Sequence, residues 1–192
     1  TVDFNFPLSL TEEQFRIIWS VMTEEFSQMG VSVIAGHTAR YDNCNYPMVG
    51  GSTVIAIGEL DEYVTPSFIK PGDKLVITKG PAIEATGIFG TMFPKLIKDK
   101  LGSDIAEEAE KIFFQMSVYR DAKVACEIGI RDEGVVAMHD ATECGIYGGV
   151  FELAEAANLG MVLNKDAIVV GKAVNKICDY FEIDPFKSIS EG

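Results

Sequence analysis

The sequence predicts an α/β fold in which helices and strands form layers. After residue 50, short β-rich runs alternate with segments of helical periodicity, which favours a layered fold over a helix bundle or an all-β sandwich. A chain of 192 residues is long enough for one substantial core or two small ones. No apolar run approaches the roughly 20 residues that span a bilayer, so no membrane helix is expected.

The first helix is predicted from its N-terminus. Thr11 and Gln14 have the spacing of a capping box, and Leu10 and Phe15 that of a hydrophobic staple across it. An apolar stripe at helical spacing follows, and Gly30 ends the helix. The stripe consists of Phe15, Ile18, Trp19, Met22, Phe26 and Met29. We expect this stripe to pack in a core.

The rest of the first 60 residues is predicted to form two strands, 31–34 and 53–57, separated by a polar loop through Pro47. Strand 31–34 runs into the residues Gly36-His37-Thr38. One helix and two strands bury too little surface to be stable alone. We therefore expect this part to dock on another element or chain.

Strands and helices alternate through the remaining residues. The turn at 70–73 is expected to launch a strand, because Pro71 presets φ and Gly72 permits positive φ. Pro94 is expected to kink the helix that contains it. The predicted strands are 74–78, 135–138 and 161–163, and the predicted helices are 84–98, 104–116, 121–128, 150–158 and 174–181.

Composition restricts the function. Sixteen basic and twenty-nine acidic residues give a formal charge of −13, which repels nucleic-acid phosphates, so no nucleic-acid partner is expected. A nucleotide triphosphate remains open, because Mg²⁺ and backbone amides can overcome that field locally. The four cysteines form no CxxC pair, and no histidine stands at zinc-ligand spacing. This pattern predicts reduced thiols in the cytoplasm and no structural metal site.

Both histidines follow predicted strands, inside turns rich in Gly, Thr or Asp. The carboxyl ends of strands are where open α/β sheets place their ligands, so His37 and His139 are candidate site residues. A structural role for each remains open. Asp140 can hold a metal or orient His139, and it can equally cap a helix.

Glycines cluster after the second histidine, at the start of a predicted helix. Free amides and the positive end of the helix dipole attract anions there, and glycine lets a phosphate approach closely. Gly145, Gly148 and Gly149 therefore predict a phosphate contact. Gly148 and Gly149 can instead serve close packing between the helix and the sheet. No Walker A lysine accompanies them.

A second candidate contact lies at the end of the strand predicted over 74–78. Lys79 can meet a phosphate while Gly80 turns the chain sharply beneath it, or Lys79 can be a solvated surface side chain. Cys144 is either a reactive thiol or a small residue that fills space. The GxSxG and HExxH motifs do not occur.

Together these motifs resemble the superfamily of aminoimidazole ribonucleotide (AIR) synthase, the hydrogenase maturation protein HypE, selenophosphate synthetase and thiamine-monophosphate kinase. Residues 36–38, the 71–73 turn, residues 79–81 and the 139–149 segment occur in the matching order. The HypE branch and its archaeal relatives are the most similar. The tail 184–192 is also similar to a stretch that the family has before a further strand.

The resemblance implies a fold, a domain arrangement and cofactors. Residues 66–192 would be an AIR synthase-like C-terminal domain, with a mixed sheet flanked by helices. Residues 1–65 would be the end of an N-terminal domain that binds ATP and dimerises. The implied enzyme uses ATP with Mg²⁺ and is a homodimer. Because the chain lacks an initiator Met, we expect either processing or a start inside a longer gene product.

The resemblance also assigns residues by position. Residues 36–38 are similar to the turn that the family places beside the nucleotide phosphates, with Ala35 replacing its first glycine. The 139–149 segment is similar to the HypE turn that faces the cleft, although Cys144 and Ile146 break its usual glycine pair. His139 and Asp140 are the expected catalytic residues. The expected nucleotide-binding residues are Gly36, His37, Thr38, Lys79, Gly80, Thr142, Gly145, Gly148 and Gly149.

Two functions remain open. The first is part of an ATP-dependent enzyme that phosphorylates or activates an oxygen of a small molecule or peptide. The family's acidic nucleotide motif and the cysteine tail of HypE are missing, so we expect this polypeptide alone to bind ATP poorly and to complete no reaction. The second is a non-catalytic module that binds a partner protein during assembly of the hydrogenase metallocentre.

Overall fold

Contacts in the computed structural model divide the chain into two units, Thr1–Gly58 and Glu59–Gly192. The structure describes residues 1–191. These residues form a mixed three-stranded sheet and seven α-helices, so the predicted α/β class is confirmed. Gly192, which ends the tail that is similar to the family, lies outside the described residues.

The first unit contains the sheet. Strand β1 (Val2–Pro7) is central, parallel to β2 (Gly36–Tyr41) and antiparallel to β3 (Val49–Ser52). The side chains of Val2, Phe4 and Phe6 alternate along β1 and are buried on one face. β1 is absent from the predicted elements, although its period-2 alternation is a strand signal.

Helix α1 (Glu12–Gln28) covers the buried face of the sheet. The Thr11 hydroxyl accepts a hydrogen bond from the Gln14 amide at 3.2 Å, and the Gln14 side-chain oxygen accepts one from the Thr11 amide at 3.0 Å. The predicted capping box is therefore confirmed. Five residues of the predicted stripe pack against the buried face: Phe15, Ile18, Trp19, Met22 and Phe26.

The predicted strands 31–34 and 53–57 are wrong. Neither segment is a strand, and the isoleucine side chains Ile34 and Ile55 are exposed. The strands that pair with β1 instead lie at 36–41 and 49–52. Valine and isoleucine raise β propensity locally, but a strand forms only where its backbone finds a partner in register.

The second unit is mainly helical. Its helices are α2 (Ile83–Met92), α3 (Pro94–Leu101), α4 (Ser103–Phe113), α5 (Tyr119–Ile128), α6 (Gly145–Ala157) and α7 (Lys172–Tyr180). Short 3₁₀ helices occur at Pro66–Phe68, Arg131–Glu133, Lys165–Ala167 and Pro185–Lys187. The fully buried side chains Ile97, Val174 and Ile177 lie in a core built mainly by α2, α3, α4 and α7. In the described part of the chain, no helix is long and apolar enough to span a membrane.

The second unit differs from its predicted elements in two ways. The helix predicted over 84–98 is two helices, because Pro94 begins α3 at a position where its missing N–H costs nothing, rather than kinking one long helix. The strands predicted at 74–78, 135–138 and 161–163 do not form, and the described residues show only a bridge between Ile130 and Val135 there. Valines in these segments, such as Val76 and Val162, are exposed rather than buried in a sheet.

Candidate functional site

A buried serine brings two of the predicted motifs together in the second unit. The Ser190 hydroxyl donates to the carbonyl oxygen of Gly80 at 2.8 Å and accepts from the Ile83 amide at 3.3 Å. The Ser190 amide donates to the carbonyl oxygen of Ala141 at 2.8 Å. The 79–80 bend, the N-terminus of α2 and the 139–142 segment therefore meet at Ser190. The only sequence signal for it is its place in the tail that is similar to the family.

The bend at Gly80 has the sharp geometry that the sequence predicts. Gly80 adopts a φ of +105°, in the region that favours glycine. A Cβ at this position would lie 2.6 Å from the carbonyl oxygen of Val169. The bend therefore requires glycine both for its backbone conformation and for the space around it.

Lys79 is not a solvated surface side chain. Its ammonium lies 2.8 Å from Asp121 Oδ2 and donates to the carbonyl oxygen of Ser117 at 3.0 Å. The Lys79 and Asp121 side chains are only 17% and 23% exposed. Because this pair already balances the lysine charge, a phosphate contact at Lys79 stays a prediction. Asp121 is absent from the predicted site residues, since nothing in the local sequence indicates the pairing.

The ion pair changes the acidity of Asp121. Burial is the largest influence on the pKa of Asp121 and raises it. The hydrogen bond and charge of Lys79, helped by a hydrogen bond to Thr78, outweigh burial and leave the pKa below its ordinary value. The Asp121 carboxylate is therefore charged at neutral pH and holds the 78–80 segment against α5.

His139 is held by oxygen atoms at both ring nitrogens. Its Nε2 lies 2.7 Å from Glu152 Oε2 on α6, and its Nδ1 faces the backbone carbonyl oxygen of Asp140. Asp140 Oδ1 lies 3.4 Å from the same Nδ1. The imidazole is 24% exposed and the Asp140 side chain 53% exposed. Of this cluster, only Glu152 was not predicted, because it lies 13 residues further along the chain.

The glycine cluster lies in the first turn of α6, which begins five residues before the helix predicted over 150–158. Gly145 has a φ of +58°, and a Cβ there would lie 2.5 Å from the carbonyl oxygen of Ser188. The Gly145 amide donates to the carbonyl oxygen of Thr142 at 3.0 Å. The space beside Gly145 is thus filled by the chain itself, and its amide is already bonded.

The other two glycines also lie against backbone. A Cβ at Gly148 would lie 2.3 Å from the Glu143 carbonyl oxygen, and one at Gly149 would lie 3.4 Å from the Asp140 carbonyl oxygen. The Gly148 amide donates to the carbonyl oxygen of Cys144 at 3.1 Å. Gly148 therefore serves close packing against the backbone of residue 143 rather than against the predicted sheet, whereas Gly149 has room for a Cβ, and a phosphate contact at either glycine stays a prediction.

Three carboxylates, called here the acidic cluster, lie near Ser190: Glu84, Glu143 and Glu191. Burial raises the pKa of Glu84, and the charges of Glu191 and Glu143 raise it further. A hydrogen bond from the Thr142 side chain lowers the pKa of Glu143. Negative charge here opposes a bare phosphate. Among residues 1–191, no group of three or more His, Cys, Asp or Glu side chains can hold a metal ion, so these side chains supply no three-ligand protein site for Mg²⁺.

The first predicted motif has a different geometry from the one expected. Gly36, His37 and Thr38 begin strand β2, where they pair with Val2, Asp3 and Phe4 of β1, and all three are exposed. The expected position in a turn after a strand is wrong, because the β1 backbone recruits these residues into the sheet. Their role beside a nucleotide stays a prediction.

Comparison with known proteins identifies the family. Residues 70–192 match the AIR synthase related protein family, C-terminal domain. The chain belongs to this family. The match covers the buried serine, the 79–80 bend and the 139–149 segment of this AIR synthase related chain, and the superfamily assignment from sequence is confirmed.

Individual relatives of this AIR synthase related chain agree with its HypE-branch assignment. A hydrogenase expression/formation protein of Methanocaldococcus jannaschii is 34% identical over 185 residues, which cover 94% of this chain and 50% of that protein. A selenide, water dikinase of Caldanaerobacter subterraneus is 27% identical over 147 residues, covering 76% of this chain and 38% of the relative. The chain thus spans half or less of the length of these two relatives.

A solved structure shares the fold of the AIR synthase related chain. The crystal structure of hydrogenase maturation protein HypE in complex with ATP superimposes with a TM-score of 0.69 at 17% sequence identity. The alignment covers 100% of this chain and 53% of that protein. At this identity the similarity establishes the fold alone.

Proposed function

We propose that this chain is part of an ATP-dependent enzyme that phosphorylates or activates an oxygen of a small molecule or peptide. The family match over 70–192 supports this proposal, as do a relative named for dikinase activity and a structural neighbour that binds ATP. The observation that carries it is the family match, which contains both motifs that meet at Ser190.

The proposed contribution of this chain is positioning rather than nucleotide capture. Its glycine amides at 145 and 148 are already bonded, Lys79 is paired, and the acidic cluster opposes phosphate. We therefore assign most contacts to ATP, and the ligands of Mg²⁺, to the rest of the intact protein. Asp140, with its half-exposed carboxylate, and Thr142 are the side chains that we assign to the ligand.

The domain arrangement is part of the same proposal. Residues 1–65 would end an ATP-binding N-terminal domain through which the intact protein forms a homodimer, and 66–192 would be the C-terminal domain. The exposed side chain of Ile57, 98% accessible, is consistent with a surface that another chain covers.

Thermal unfolding tests nucleotide use. A ligand at 100 times its Kd stabilises a protein by about 2.7 kcal/mol. We expect Mg-ATP to raise the melting temperature of the intact protein by several degrees, while residues 1–192 alone do not respond. Mg²⁺ without nucleotide is the control. An intact protein whose melting temperature is unchanged by Mg-ATP would contradict the proposal.

A second candidate is a module that binds a partner protein in hydrogenase maturation. The exposed apolar side chains favour it, including Ile57 in the first unit and Val162, 96% accessible, in the second. The name of the Methanocaldococcus relative agrees with it. This candidate would be favoured if Mg-ATP left the melting temperature of the intact protein unchanged and a purified hydrogenase-maturation protein raised it.

A further inference from the structure

We propose that His139 is a positioning residue, whose ring anchors the 140–142 segment to helix α6 and exchanges no proton with a substrate. The inference rests on the proposed function, because it concerns how the same site presents Asp140. It replaces the catalytic role expected for His139 with a geometric one.

The ring nitrogens carry this inference. Glu152 Oε2 lies 2.7 Å from Nε2, and the carbonyl oxygen of Asp140 faces Nδ1. A carboxylate and a carbonyl oxygen lie against the two ring nitrogens of His139, so the protein itself occupies both positions through which the ring could reach a substrate. A general base needs a ring nitrogen within reach of the substrate proton. In this arrangement both nitrogens already face protein oxygen atoms.

The His139 ring lies against one face of helix α6. Gly149 and Glu152 are three residues apart and therefore lie on the same face of the helix. A Cβ at Gly149 would lie 3.4 Å from the Asp140 carbonyl oxygen and 3.8 Å from His139 Nδ1. The 139–140 backbone and the ring thus lie against this face of the helix, at distances that a Cβ would also tolerate, and Glu152 Oε2 contacts Nε2 of the ring.

The consequence of the anchor is the place of the Asp140 carboxylate. Asp140 Oδ1 lies 3.4 Å from Nδ1, and the Asp140 side chain is 53% exposed, so it is open to a ligand while its backbone is held. Glu152 is 59% exposed, and a polar contact this open adds little to stability. The anchor is therefore expected to act on geometry, where small displacements reduce rates strongly.

The substitution His139→Arg distinguishes an anchoring role of residue 139 from a role as a general base. The arginine guanidinium is always protonated and can donate to several oxygens at once, but it cannot accept a proton. We expect His139→Arg in the intact protein to release phosphate from Mg-ATP within about threefold of the wild-type kcat. We expect His139→Ala and Glu152→Ala, which remove the two partners of the 2.7 Å contact, each to lower kcat about tenfold with little change in the KM for ATP.

A double variant tests whether Glu152 acts through the ring. His139→Ala combined with Glu152→Ala should be no slower than either single variant, because both remove the same anchor. Glu155→Ala, at an exposed carboxylate one turn further along α6, is the matched control and should behave as wild type. An inactive His139→Arg protein, or multiplicative losses in the double variant, would overturn the inference.

Ring-proton exchange tests the anchor without turnover. The chain has two histidines, so a ¹⁵N-histidine sample shows two rings, and His37→Gln assigns them. We expect the proton on His139 Nε2 to be protected from exchange with water by its contact with Glu152, and Glu152→Ala to remove that protection. Fast exchange in wild type overturns the inference. An intact wild type that releases no phosphate overturns the proposed function instead, so the two failures are distinguishable.

Discussion

The sequence predicts the same setting for the two histidine segments, a turn after a strand, but their surroundings in the structure differ. Gly36-His37-Thr38 lies on β2, an edge strand of a small sheet, and all three residues are exposed. His139 is bonded at both ring nitrogens, and the residues that follow it are fixed by Ser190 and by α6. The position of a histidine beside a predicted strand therefore does not by itself predict the environment of its side chain.

The different surroundings of the two histidines follow from the different cores of the two units. The first unit has four buried core residues, three of them on one face of the sheet and Leu10 just after β1, whereas the second has a core cluster of eleven. A single layer of strands leaves the opposite face open. A helical unit with a larger core can instead hold loops and the chain tail between helix ends, as it does at Ser190 and Gly145.

The largest expected effect tests whether the first unit depends on its few core residues. Phe6 is almost fully buried, so Phe6→Ala should cost about 3–5 kcal/mol in the free energy of unfolding of that unit. Hydrogen exchange should show lost protection in residues 1–58 and retained protection in α2, α4 and α7. Leu8→Ala, at an exposed position nearby, should change stability by less than about 0.5 kcal/mol. Loss of protection in both units together would contradict the comparison.

The second-largest expected effect tests the packing of residues 186–188 against the start of α6 in the second unit. Gly145→Ala should destabilise this unit by about 3 kcal/mol, because alanine disfavours the positive φ and its Cβ meets the Ser188 carbonyl oxygen. Urea denaturation measures the change. Gly160→Ala is the matched control, since its Cβ would meet nothing within 4 Å. Equal stability of the two variants would show that the tail does not pack against α6 as described.

A smaller effect concerns the Lys79–Asp121 pair and pH. Asp121→Asn should lower the free energy of unfolding at pH 7 by about 2 kcal/mol, because it leaves a largely buried lysine without its charged partner. The folded-state pKa of Asp121 is lowered, so the pair stabilises the fold above the ordinary Asp pKa of about 3.9 and is lost as pH falls through the lowered value.

Denaturation at a series of pH values measures this prediction. The stability difference between wild type and Asp121→Asn should be constant from pH 7 to about pH 5 and should shrink below about pH 4. Asp99→Asn removes the exposed Lys95–Asp99 pair and is expected to have a smaller effect at every pH. A difference that grows in acid would contradict the assignment.

The smallest effect compares cysteines in the two units. Burial, with the charges of Asp179 and Asp184, raises the pKa of Cys178 to about 11. Its low thiolate fraction alone should slow alkylation at pH 8 about 100-fold relative to an ordinary thiol. Mass spectrometry after iodoacetamide treatment should find Cys126 and Cys144 modified first, Cys44 of the first unit next, and Cys178 only after unfolding. Early labelling of Cys178 in the folded protein would contradict its place in the core.

Local patterns predicted the helices better than the strands. The capping box at Thr11 and the stripe of α1 were predicted because both depend on residues within a few positions of one another. The segments 31–34, 53–57 and 74–78 have the side chains of strands but not the partners. Pairing with β1 involves residues more than thirty positions away, which local propensity does not register.

The candidate site likewise combines features that the sequence predicts and features that it does not. The motifs at 79–80 and 139–149 were found from sequence, since glycines, charged residues and their order are visible there. Ser190, Asp121 and Glu152 were missed because each matters only through a partner elsewhere in the chain. Ser190 and Gly80, for example, are separated by 110 residues.

By itself, the sequence determined the α/β class and membership of the AIR synthase related family, because composition, periodicity and motif order are properties of the chain. Only the tertiary structure decided which motifs meet, that Lys79 is paired, and that both nitrogens of His139 are bonded. The physical reason is that a hydrogen bond or ion pair depends on distances between atoms, and these distances are set by packing of elements far apart in the sequence.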